Sequence, residues 1–174
     1  MRNCLAEQGV SSIFRQAPAF APFMSKPATS ARDLRIDLAS KRESELFKWF
    51  LACLLFGKPI QAEIAGQACQ ALVAAGLTSP GAILRAGWDK LVFLLDQAHY
   101  VRYDFSTATK LLEVCRELQR RYGTLTNLLA QAKTAADLLH KLQEFKHIGP
   151  VTARIFLREV RPIWYPRSAP PRKK

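Results

Sequence analysis

Phe145-Lys146-His147-Ile148-Gly149-Pro150-Val151-Thr152-Ala153-Arg154-Ile155-Phe156-Leu157 is the stretch whose reading decides the fold. An apolar helical segment, marked by Leu138, Leu139 and Leu142, runs into it. Gly149 permits close backbone approach or a positive φ. Pro150 suits the first turn of a new helix, where its missing N–H costs nothing. The amides of Val151, Thr152 and Ala153 would then project from a helix N-terminus, an anion site favoured by the helix dipole. Lys146, Arg154 and Arg158 surround that point with positive charge.

Outward from the turn, helix signals continue in both directions. Leu46, Phe50, Leu54 and Leu55 repeat at helical spacing and stop near Gly57 and Pro59. A second helix is expected over about 60–75, with Gly76 just beyond its end. Ser79-Pro80 reads as an N-cap followed by proline at the first helical position. Further helices are expected at about 80–86, 88–97, 106–122 (closed by Gly123), 124–131 and 134–143, and a last one starting after Thr152. No alternating strand pattern occurs, so the fold class is all-α. The helical domain is expected over 43–160, between a flexible basic leader (1–42) and a proline-rich basic tail (161–174) that cannot form a long helix.

At 174 residues and 49% apolar composition the chain can bury one ordinary core. Its longest apolar run, Trp49 to Phe56, is far short of the roughly 20 residues that cross a bilayer, and no membrane partner is expected. Lys and Arg number 26 against 14 Asp and Glu, a formal charge of +12 that points to a polyanion, nucleic acid first. Cys4, Cys53, Cys69 and Cys115 stand far apart, with no CxxC and no zinc or iron–sulphur spacing. They read as structural thiols in a reducing compartment, and no cofactor is expected.

The hairpin sequence resembles the helix-hairpin-helix of the endonuclease III and 3-methyladenine DNA glycosylase (HhH-GPD) superfamily. There the usual form is Leu-Pro-Gly-hydrophobic-Gly-x-x-Thr-Ala, and here Phe-Lys-His-Ile-Gly-Pro-Val-Thr-Ala stands in its place. Upstream, Glu45-Leu46-Phe47 into Leu51–Leu55 resembles the family's first long core helix. Ala98-His99-Tyr100-Val101-Arg102-Tyr103, then Ala108 and Leu111-Leu112, is similar to its Gly-hydrophobic-Tyr-x-x-Lys-Ala stretch, and Arg121-Tyr122-Gly123 to the end of the next helix. The resemblance covers about 43–165. It implies a multi-helix domain of the endonuclease III type, short at its C-terminal end. It also implies binding of duplex DNA, damaged or distorted duplex included, through 146–154 and Arg158, in a nucleoid-associated cytoplasmic setting or another reducing DNA compartment.

Three departures limit what carries over. The lysine that performs lyase chemistry in bifunctional members is replaced by Val151, which cannot form a Schiff base. The essential aspartate, about 18 residues further on, falls at Ala169, and no carboxylate lies between Val160 and Lys174. His147 takes the place of the first hairpin glycine; histidine tolerates left-handed backbone, could donate to a phosphate, and as a base has no evident carboxylate to orient it. The expected protein is thus a DNA-binding relative of base-excision-repair enzymes without lyase activity. The alternatives are a monofunctional glycosylase using Asp96, Asp104, Glu63 or Glu159, with Trp49, Tyr100, Tyr103 or Trp164 stacking on a flipped base, and a helical module for RNA or an acidic protein.

Overall fold

The computed structural model describes residues 30–166, which carry seven α-helices and no strand. They are α1 (Glu43–Phe56), α2 (Ala62–Ala74), α3 (Pro80–Gln97), α4 (Asp104–Arg121), α5 (Leu125–Gln131), α6 (Ala135–Gln143) and α7 (Pro150–Trp164). The all-α expectation holds for these residues.

Local signals set most boundaries. The α2 terminus is a Schellman cap: Gly76 lies at φ 79°, its amide donates to Val73 O (2.9 Å), and Leu77 N donates to Leu72 O (3.1 Å). Ser79 Oγ accepts from Ala82 N at 3.2 Å, and Thr124 and Thr134 cap α5 and α6 in the same way. Gly87, at φ 76° and ψ 174°, divides α3 into two helical pieces, matching the expected break between residues 86 and 88.

α1 is buried along nearly its whole surface, from Leu46 to Leu55, as a central helix must be. α2 and α7 pack against it, α3 pairs with α4, and α6 with α7. Trp49 ties the middle of α1 to α7, its indole N–H donating to Phe156 O at 3.3 Å. Buried Tyr100 and Lys110 satisfy the end of α1, donating to Leu55 O (2.9 Å) and Leu54 O (3.0 Å). Burial, with the charge of Lys58, pushes the Lys110 ammonium down to about 8.

Both expected domain limits move outward. The packed unit starts before Glu43, because Ala31, Leu34, Ile36 and Leu38 are buried and Asp37 N donates to Glu45 Oε2 at 3.0 Å. The last helix begins at Pro150 and passes through Pro162 to Trp164. Ile163, Trp164 and Tyr165 pack on the core, and the Tyr165 hydroxyl lies 3.1 Å from both Leu129 O and Ala132 O. That packing outweighs the hydrogen bond Pro162 cannot make in the final turn. Residues 1–29 and 167–174, with most of the leader, Cys4 and the position of Ala169, lie outside the described residues.

Candidate nucleic-acid interface

The turn between α6 and α7 is held from below and open above. Phe145 is buried against Tyr122, ring centroids 6.0 Å apart, and Arg121 covers both rings at 5.2 and 5.4 Å while pairing with Glu117 and Glu144. Ile148 is buried, and its amide closes the turn on Phe145 O at 3.1 Å. His147 takes the left-handed backbone at φ 76°, so the histidine occupies the conformation a glycine would ordinarily supply.

Gly149 does not take the positive φ that is one of the two roles expected of it. Its φ of −85° and ψ of 175° suit any residue, and a Cβ there would meet nothing within 4 Å. The fold does not need this glycine; its bareness leaves the backbone open to an outside group. Ala153 departs from its expected part. The side chains of Thr152 and Ala153 are buried, and the Ala153 amide is already used, donating to Gly149 O at 3.1 Å. The uncommitted first-turn amides are therefore those of Val151 and Thr152.

α7 is electrostatically singular. α3, α5 and α6 have hydroxyl caps, while α1, α2 and α4 place Glu43 and Glu45, Glu63, and Asp104 in their first turns. α5 also receives the Glu43 carboxylate on the amides of Leu125 (2.9 Å) and Thr126 (2.8 Å). Among the described helices, α7 alone has neither a side-chain cap nor an acid in its first turn. Its positive end is left without compensation.

Cations flank this end. Lys146, His147, Arg154 and Arg158 are on the surface. Arg154, Arg158 and Arg161 border a groove of about 430 Å³ between α6 and α7, floored by Leu139 and Leu157. Glu113 of α4 accepts from His147 Nε2 (2.6 Å) and Lys146 Nζ (3.1 Å), and these two bonds hold its carboxyl below the usual range. His147 thus does have a carboxylate partner. Glu113 escaped sequence reading because 34 residues separate it from the histidine, with no motif linking them.

The four aromatic candidates divide. Trp49 and Tyr100 are fully buried and committed to α1 and α7, so neither can stack on a base. Tyr103 and Trp164 are half-buried, with Lys58 (5.4 Å) and Arg102 (5.5 Å) over the first ring and Lys41 (5.9 Å) over the second. The four carboxylate candidates belong to four different helices. Glu63 begins α2, Asp96 ends α3, Asp104 caps its own neighbour Phe105, and Glu159 pairs with Arg158 at 3.4 Å. Cys53, Cys69 and Cys115 are buried free thiols, and no metal-binding cluster occurs among the described residues. No described helix is long and apolar enough to cross a membrane. No family model matches the chain, and neither a curated protein nor a solved structure matches it.

Proposed function

We propose that this chain binds duplex DNA through the 145–149 turn and the N-terminus of α7, as a helix-hairpin-helix protein resembling base-excision-repair glycosylases. The observation that carries the reading is the uncompensated positive end of α7 beside the bare Gly149 backbone. A phosphate oxygen there would accept from the amides of Val151 and Thr152, with Lys146, Arg154 and Arg158 supplying charge. Such contacts position a duplex without reading its sequence. Chemistry is a separate matter. Val151 offers no amine, and Glu113, the carboxylate that reaches the turn from α4, is engaged by Lys146 and His147. The proposal therefore includes no lyase step through position 151.

Salt-dependent binding of a perfect duplex tests it. Neutralisation of about four phosphates by Lys146, Arg154, Arg158 and Arg161 gives a slope of log K on log salt near −3.6. The Lys146→Glu/Arg154→Glu protein should lose about two units of that slope. A slope near zero in the native chain overturns the reading. So does robust borohydride trapping of a protein–DNA adduct at residue 151, for the chemical half.

A further inference from the structure

The outer face of the α3–α4 pair carries two aromatic rings that the core does not use, Trp88 of α3 and Phe105 of α4. Trp88 and Phe105 stack at 5.4 Å between centroids and 27° between planes, yet they remain 40% and 60% exposed. The pair is built rather than incidental, because the Trp88 indole N–H donates to Thr109 Oγ1 at 3.1 Å and so fixes the ring. Exposed, rigid aromatic surface of this kind marks a contact site.

Its position identifies the contact. Phe105, Thr109 and Glu113 are i, i+4 and i+8 on α4, one stripe about 12 Å long. At its far end Glu113 holds Lys146 and His147 of the hairpin turn. Arg116 and Arg120, both exposed, continue the same stripe. An aromatic platform at one end and cations at the other is the arrangement that takes a nucleic-acid strand, bases on the rings and phosphates on the cations. Paired bases are already stacked on each other and cannot reach the platform; unpaired ones can.

We propose that Trp88 and Phe105 form a stacking platform for unpaired bases, so that the preferred ligand is a duplex with a gap, bulge or frayed end beside the hairpin-bound segment. The proposal rests on the nucleic-acid reading above and deepens it. Neither residue was singled out by sequence, since Trp88 and Thr109 lie 21 positions apart and Phe105 begins a helix as an ordinary apolar residue.

The full chain is titrated with a perfect duplex, the same duplex carrying a short single-stranded thymidine gap, and an oligothymidylate. Stacking is worth about 1–3 kcal/mol per base, so Trp88→Ala and Phe105→Ser should each weaken gapped-duplex binding at least fivefold and leave perfect-duplex binding within about twofold. Phe105→Ser alters a mostly exposed side chain and serves where Trp88→Ala disturbs the fold. Tryptophan emission should be quenched by oligothymidylate in the native chain and not in Trp88→Phe. Equal losses on both duplexes, or none on the gapped one, overturn the platform and leave the hairpin reading standing. Absence of binding to any of the three ligands overturns both. A concentration-dependent dimer that Phe105→Ser converts to monomer assigns the pair to a protein interface and overturns the platform.

Discussion

A Cβ added at Gly57 would run into the Thr152 hydroxyl, while a Cβ added at Gly149, three residues before Thr152, would meet nothing within 4 Å. The two glycines stand on opposite sides of the same helix end. On the inner side the C-terminus of α1 packs against α7, and Ile148, Thr152, Ala153 and Phe156 are buried. On the outer side Lys146, Gly149, Pro150, Val151 and Arg154 face solvent. Two lysines repeat the contrast. Lys110 is buried on a backbone carbonyl, whereas Lys146 extends from the surface to Glu113. The inner side obeys shape, and substitutions there should be read in stability. The outer side is spare in shape and rich in charge, and substitutions there should be read in binding.

The largest effect should come from removing the inner-side strut between α1 and α7. Trp49→Ala deletes a fully buried ring and its bond to Phe156 O, and should cost about 3–5 kcal/mol in urea unfolding. The exposed-side control, Arg154→Ala, should stay within about 0.5 kcal/mol.

Next comes Lys110, through pH. Its ammonium sits at about 8 in the fold against an ordinary 10.5. Between those values the unfolded chain binds the extra proton, so this group makes stability rise with pH. Cys69, Cys115 and Tyr100, each pushed up to about 12, act oppositely above about pH 9. The clean signature is thus the difference between the native chain and Lys110→Met. That difference should shift in favour of the native chain by on the order of 2–3 kcal/mol from pH 8 to 10.5. A flat difference would mean that Lys110 is solvated.

The glycine pair gives the sharpest comparison. Gly57→Ala should destabilise by about 1–3 kcal/mol through overpacking, and Thr152→Ala in the same chain should recover part of the loss. Gly149→Val should unfold within about 0.5 kcal/mol of the native chain yet bind duplex DNA at least tenfold more weakly. Intact binding by that folded variant would dissolve the distinction between the two sides.

Where structure is set within a few residues, it was legible. Gly76, Ser79, Thr124, Thr134 and the Gly87 break each fix a helix end through backbone conformation or one short hydrogen bond. His147 in the left-handed region belongs to the same class. What depends on distant neighbours was not. Residue type alone does not tell an aromatic ring in the core from one on the surface, so the sequence offers buried Trp49 and Tyr100 among its four stacking candidates and does not single out exposed Trp88 and Phe105. That α7 continues through Pro162 into the proline-rich tail depends on the packing of Ile163 to Tyr165, which cannot be seen locally. The same holds for Ala31, Leu34, Ile36 and Leu38, four apolar residues in a stretch otherwise polar and charged, which join the core from outside the helical repeat. Of the two roles the sequence offers Gly149, the positive φ is not the one its backbone takes.

The buried thiols have one more use. Cys53, Cys69 and Cys115 are all buried, and burial pushes their thiols up, so almost none is present as thiolate near neutral pH. Alkylation must then wait for the helices to part. In a Cys4→Ser background each thiol becomes a stopwatch for the opening of its own helix: Cys53 for α1, Cys69 for α2, Cys115 for α4. Equal labelling times would mark a molecule that opens all at once. An early Cys69 would mean that α2 peels away while α1, α4 and α7 stay together, leaving the uncapped end of α7 in place on a partly open protein.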